Sequence, residues 1–213
     1  MTHDTIYSGA LFRRARVCLA SCRKRGVIMQ QIDSIPIISV PQDMTLKALL
    51  FALERHEGQT RRGTDLPYIT HPIAVSYLVA QFKQSKHLPE LVAAAILHDV
   101  LEDTPTTFAE LAERFTPLVA SLVLELTSDQ AEIDRIGKLE YLKAKMSGMS
   151  SYGLTIKLAD RLHNISDRPT AKMVRDTLEI LAHLQAHRRW TGSQAILVEQ
   201  IIAMCEAKGD FHV

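Results

Sequence analysis

The sequence predicts an all-α bundle of about eight to ten helices joined by short connections, and three observations carry that expectation. From residue 42 onward apolar residues recur at a helical period. No stretch alternates apolar and polar residues in the way a half-buried strand does. The 213 residues include only 9 Gly and 8 Pro, so breakers are few, and a hydrophobic content of 46% is enough for a sizeable core.

The elements follow in chain order. DMTLKALLFALERHEG reads as the first helix, with Leu46, Leu49, Leu50 and Leu53 marking its core face and Gly58 its stop. RRGTDLPY is a polar loop. Thr70 is expected to cap HPIAVSYLVAQF, whose Pro72 sits in the tolerated first turn. The next helix is expected to run unbroken from about Pro89 to Asp103, closed by Pro105. Thr107 and Glu110 stand at capping-box spacing before FAELAERF. PLVASLVLELT, EIDRIGKLEYLKAKM, SYGLTIKLADRLHNI, AKMVRDTLEILAHLQAHR and SQAILVEQIIAMCEA complete the set, with no internal repeat.

Composition narrows the functional classes. The net charge of +1 hides an asymmetry: residues 1–29 carry Arg13, Arg14, Arg16, Arg23, Lys24 and Arg25 against the single acid Asp4, and the remainder has more acids than bases. The body is therefore not a nucleic-acid-coating protein. Residues 1–41 read as a basic, poorly ordered extension, and residues 42–213 as the functional domain. The extension shares the Arg-rich, acid-poor composition of transit peptides but lacks a strong apolar helical face, so Met29 and Met44 are alternative starts for the functional chain. No apolar run approaches the roughly 20 residues of a membrane-spanning helix. Cys18, Cys22 and Cys205 are too few for a disulfide framework, which points to a reducing cytoplasm.

One short stretch concentrates chemistry. ILHDVLEDT, residues 96–104, ends an apolar helix and places His98, Asp99, Glu102 and Asp103 within six positions. On a continuous helix His98 stands over Glu102 and Asp99 over Asp103. Three carboxylates at the negative end of a helix dipole are costly unless a cation sits among them, and a metal ion is the simplest compensation. Asp160, at the end of the apolar stretch IKLAD, is a second supplier of ligands, and His71, in the first turn of its helix, a third. Imidazole with carboxylate suits Mn, Fe, Co, Zn or Mg and does not choose among them.

YITHP at 68–72, ILHDVLEDT at 96–104 and IKLADRLHN at 156–164 resemble, in this order and spacing, the HD-superfamily hydrolase domain of RelA/SpoT proteins. The likeness extends over roughly residues 45–185. It implies an HD-type helical phosphohydrolase domain holding Mn2+ through His71, His98, Asp99 and Asp160. It also implies hydrolysis of the alarmones ppGpp and pppGpp at the ribose 3′ position, giving GDP or GTP and pyrophosphate. In length the chain resembles the stand-alone small alarmone hydrolases of metazoan type. No synthetase domain is expected in it.

A divalent ion activates bound water, and Glu102 and Asp103 lie where a carboxylate can orient that water or accept its proton. Arg61, Arg62, Lys157 and Arg161 are the cations available for a highly charged nucleotide. By resemblance Arg61 and Arg62 match a substrate-binding pair and Asn164 a nucleotide-contacting position. The chain departs from the family where Ile165 and Ser166 follow Asn164 in place of the usual Arg, which leaves Arg168 as the candidate substitute. His56, His163, His183 and His187 read as core or surface imidazoles. Two further functions stay open: removal of the 2′-phosphate of NADPH, and a non-catalytic nucleotide-binding module.

Overall fold

Residues 43–209 are the part of the chain that the computed structural model describes. Eleven helical segments run through them: α1 (Met44–Arg55), α2 (Thr70–Phe82), α3 (Leu88–Ile96), α4 (Val100–Asp103), α5 (Phe108–Arg114), α6 (Pro117–Leu126), α7 (Gln130–Ile136), α8 (Lys138–Gly148), α9 (Ser151–Ser166), α10 (Ala171–His187) and α11 (Gly192–Gly209). Among the described residues there is no strand, only an isolated bridge between Thr60 and Pro67. The all-α class is as the sequence predicts. The basic extension expected over 1–41, with Cys18 and Cys22, lies outside the described residues.

Two helices expected to be continuous are interrupted, and counting each pair as one leaves nine. Gly137, at φ 85°, divides α7 from α8 by taking a backbone conformation that side-chain-bearing residues rarely adopt. The second interruption separates α3 from α4 and is the one that matters for the site. Leu97 N–H still donates to Ala93 O at 3.0 Å, but the next bond, Val100 N–H to Leu97 O at 3.1 Å, spans only three residues. The imidazole of His98 meanwhile occupies the Ala95 carbonyl through Nδ1 at 2.8 Å. A side chain has thus entered the backbone ladder, and the helix turns there.

α9 is the helix around which the others gather. Leu154, Ile156, Leu158, Ala159, Leu162 and Ile165 are all buried, so apolar surface covers more than one face, and neighbours must cover it on several sides. α2 and α11 pack along it, and α3 packs in turn against α1, α2 and α6. Truncating a buried leucine such as Leu158 costs about 2–5 kcal/mol in cores of this kind. Side-chain caps mark most helix starts: Thr107, Thr116, Asp129, Ser150 and Thr170 each accept a backbone N–H three residues on.

Two local expectations need correction. Thr70 does not cap α2; the cap residue is Ile69, and the Thr70 hydroxyl donates to Pro67 O at 2.8 Å, because the chain has already turned through the bond from His71 N–H to Tyr68 O. The inward face of α1 is Ala48, Phe51 and Ala52, whereas Leu46, Leu50 and Leu53 are exposed. α3 packs against α1 and carries the buried small residues Ala93, Ala94 and Ala95, and small side chains let neighbouring helices approach more closely than leucine would. Phe51 then packs edge-on to Phe115, with ring centroids 5.7 Å apart.

Candidate metal centre and its cleft

Three buried ends converge. The first turn of α2 supplies His71, the turn after α3 supplies His98 and Asp99, and the second half of α9 supplies Asp160. His71, His98 and Asp160 are 2%, 1% and 6% exposed, and each offers one donor atom such that all three atoms lie within 4.8 Å of one another. His71 Nε2 is 3.2 Å from Asp160 Oδ1 and 3.8 Å from Asp99 Oδ2. His98 Nε2 is 2.9 Å from Asp99 Oδ2 and 3.9 Å from Asp160 Oδ1. Four of the residues singled out in the sequence are therefore brought together.

The donor set fits a divalent cation, and His98 shows it best. Its Nδ1–H donates to the Ala95 carbonyl, so the neutral ring presents a lone pair at Nε2. Asp99 Oδ2, though close, lies off the ring's N–H direction, and Nε2 has no hydrogen-bond partner. A buried lone pair facing two carboxylates is stable only with positive charge among them. In the metal-free protein a proton supplies it: burial alone would lower the affinity of His98 for a proton, but the Asp99 and Asp160 charges outweigh burial and push it up to about 9. Burial likewise opposes ionisation of Asp99 and Asp160, yet His98 beside the first and Lys157 beside the second hold both well below the usual carboxylate range.

Asp160 is fixed from three sides. Lys157 Nζ sits 2.8 Å from its Oδ2, Asn164 Nδ2 donates to its Oδ1 at 2.6 Å, and His71 approaches the same Oδ1. Lys157 and Asn164 stand three before and four after Asp160 on α9, so helical periodicity places them on its face.

The cluster forms the floor of an open cleft of about 660 Å³. Arg61, Arg62, Lys157, Arg161 and Asn164 line it, as do Glu102 and Asp103; His98 lies behind the floor. Arg61 is held by Asp167, with Nη2 to Oδ2 at 3.0 Å, and reaches Asn164 Oδ1 at 3.4 Å. Arg62 is exposed and makes no ion pair among the described residues. Glu102 Oε2 accepts the Ser128 N–H at 2.9 Å, which ties the rim to the turn after α6. Asp103 is raised by burial and by the Asp99 and Glu102 charges. Arg161 is lowered by burial and donates to Thr177 Oγ1 at 3.4 Å, a long bond across to α10.

His98 and Asp99 do not stand one continuous helical turn from Glu102 and Asp103, as the unbroken helix would have placed them. The interruption at 97–99 instead sends His98 inward and leaves Glu102 and Asp103 on the outer segment α4. Arg168 is also displaced from its expected part. It takes a left-handed φ of 51°, its side chain is 66% exposed, and it faces Asp167 at 3.6 Å rather than the cleft.

Sequence reasoning passed over four groups that the fold brings to the site. The Tyr68 hydroxyl donates to Asp99 Oδ2, and its proton is held far more tightly than a free phenol's by burial and the Asp99 charge. Its place three residues before His71 was the available signal. His163 Nδ1 lies 2.7 Å from His71 Nδ1; it follows Asp160 by three on α9. Lys138 and Lys172 join the cleft lining from α8 and α10, and no local pattern in the sequence marks them.

The family model for the HD domain matches residues 48–191. The bifunctional (p)ppGpp synthase/hydrolase SpoT of Escherichia coli K12 is 36% identical over 182 residues, covering 76% of this chain and 24% of that protein. The guanosine-3′,5′-bis(diphosphate) 3′-pyrophosphohydrolase of Aquifex aeolicus is 36% identical over 157 residues, or 67% of this chain and 21% of the relative. The chain thus spans about a quarter of the length of the curated relatives it matches. A solved structure described as a metazoan ortholog of SpoT that hydrolyzes ppGpp and plays a role in starvation responses aligns with a TM-score of 0.66 at 26% identity, covering 79% of this chain and 97% of that one.

Proposed function

The chain belongs to the HD domain family, and we propose that it is a Mn2+-dependent hydrolase that removes the 3′-pyrophosphate of ppGpp and pppGpp, giving GDP and GTP. The observation that carries the metal chemistry is the unpartnered Nε2 of buried His98, facing two carboxylates across from His71. The relatives named as ppGpp hydrolases support the substrate.

In this reading Nε2 of His71 and His98 with the Asp99 and Asp160 carboxylates hold the ion. When bound, the ion supplies an activated water and neutralises charge on the phosphoryl group. Lys157 and Asn164 keep Asp160 in place, and Tyr68 does the same for Asp99. Glu102 and Asp103, on the rim of the same cleft, would be the carboxylates placed to orient such a water and accept a proton, and the raised proton affinity of Asp103 supports that role. Arg62, exposed and without an ion pair among the described residues, draws the polyphosphate into the cleft, while Arg61, Lys157 and Arg161, each engaged with side chains of the fold, present fixed positive charge along its wall. A cytoplasmic setting completes the reading, and the buried free thiol of Cys205 agrees with a reducing compartment. Among the described residues no helix is long and apolar enough to cross a membrane.

The test is a panel of ppGpp, pppGpp and NADPH, each with and without Mn2+. Pyrophosphate release from the alarmones, dependent on Mn2+, is the expected result. Loss of phosphate from NADPH with intact ppGpp would transfer the function to the NADPH reading, and no turnover of any substrate would leave a binding module.

A further inference from the structure

His71 and His98 present Nε2 to the same point, but their far nitrogens are tied in different ways. The partner of His98 Nδ1 is the Ala95 carbonyl, a backbone acceptor that admits only an N–H donor. The partner of His71 Nδ1 is another imidazole nitrogen, Nδ1 of His163, at 2.7 Å, with ring centroids 4.8 Å apart. Two imidazole nitrogens at that distance share a single proton, one donating and one accepting. A cation at His71 Nε2 leaves Nδ1 as that ring's only site for a proton, so His71 must donate and His163 must accept. The accepting ring is then neutral and carries its own hydrogen on Nε2.

We infer that His163 is the positioning residue for His71 in the metal centre: by accepting the His71 Nδ1–H it fixes the tautomer and ring plane that aim Nε2 at the ion. This rests on the metal reading proposed above. The spacing on α9 supports it, since one helix supplies both a carboxylate of the centre and, three residues later, the acceptor that orients a facing ligand. His163 also lines a second cavity of about 560 Å³, separate from the cleft, between α2, α9 and α11 and walled by Ile73, Tyr77, Leu162 and Met204. The acceptor for His71 is therefore a half-buried side chain that borders this second cavity, whereas the acceptor for His98 is rigid backbone.

The experiment is a Mn2+ titration of the full chain, with free Mn2+ read by electron paramagnetic resonance. His163→Phe keeps an aromatic ring and removes the acceptor; it is expected to weaken Mn2+ binding about 10–100-fold. His163→Asn, whose Oδ1 falls near the position of Nδ1, is expected to recover most of that loss. In a His71→Ala background, His163→Phe is expected to add nothing, because the two residues act through one bond. Equal affinity of His163→Phe and wild type, equal loss in the Phe and Asn variants, or additive losses with His71→Ala would each overturn the inference. Should the Phe variant not fold, nitrogen-15 spectra of Zn2+-loaded wild type decide it. Protonation of His71 at Nδ1 with His163 at Nε2 supports the assignment, and the opposite pattern for either ring contradicts it. If wild type itself takes up no Mn2+, the metal reading fails and this inference with it; if wild type binds and the Phe variant binds equally, only the role of His163 fails.

Discussion

At the floor of the cleft and just behind it, His71, Asp160 and His98 are at most 6% exposed, and each is held by at least one polar partner contributed by another residue. At the rim Arg62, Glu102 and Asp103 are exposed; the Glu102 carboxylate accepts a hydrogen bond from Ser128 N–H, and Asp103 accepts one from Gln59 Nε2 through its backbone carbonyl. The contrast shows two ways of building one site. Burial makes the floor electrostatically demanding, so its charges are interdependent and losing one leaves the others uncompensated. Solvent at the rim screens each charge, so a rim residue acts nearly alone and its loss is graded.

The sharpest way to break that contrast is Asp160→Ala. It strands the Lys157 ammonium and removes the carboxylate beside both imidazoles. Turnover is expected to fall by roughly 10³-fold or more, with loss of Mn2+ uptake by the same variant; steady-state rates and metal titration check it. A rim-like effect of a few-fold would erase the distinction.

Next in size is the pH dependence of the floor. The pKa of His98 in the folded, metal-free protein is about 9, above its ordinary 6.5. Its protonated form therefore stabilises the metal-free fold fully below 6.5, and that contribution is lost as pH rises through 9. Asp99 and Asp160 are shifted the other way, so their contribution is present above the ordinary carboxylate range and lost as pH falls below it. Thermal midpoints of metal-free protein are expected to decline from pH 6.5 toward 9. A Mn2+ ion held as proposed would displace the same proton, so its apparent affinity is expected to rise with pH over that window, by up to about tenfold per unit. A flat affinity profile from pH 7 to 9 would place the ion away from His98.

Arg62→Ala probes the rim. We expect KM to rise about tenfold with kcat nearly kept, and the penalty to shrink as salt is added. A kcat loss as large as that of Asp160→Ala would assign Arg62 to the floor. The smallest effect is expected from Arg168→Gly. Glycine relieves the left-handed backbone at φ 51°, so the fold gains about 0.5–1 kcal/mol in denaturant titrations, with rates unchanged. Loss of activity would restore Arg168 to the cleft.

How much of this was legible in the sequence follows the same division. The floor residues stood out because a polar group at the end of an apolar helix is conspicuous: His98 and Asp99 after LVAAAIL, Asp160 after IKLA, His71 after a loop. The all-α class was legible for the same reason, since a period of 3.6 is a local property. What was not local was missed. The pairing of His163 with His71 joins residues 92 apart, and the Arg61–Asp167 pair joins residues 106 apart. The inward face of α1 depended on how α3 packs against it, because two apolar stripes compete on that helix and only the neighbouring helix decides between them. The interruption after Ile96 depended on where the His98 side chain went, and helix propensity carries no such information.

The account's central claim is that the buried cluster holds the ion, and anomalous scattering from crystals of the full chain grown with Mn2+ tests it most directly. It predicts a single strong peak enclosed by Nε2 of His71, Nε2 of His98 and the carboxylates of Asp99 and Asp160, absent in Asp160→Ala. A peak elsewhere in the cleft, or an unchanged peak in that variant, would contradict it.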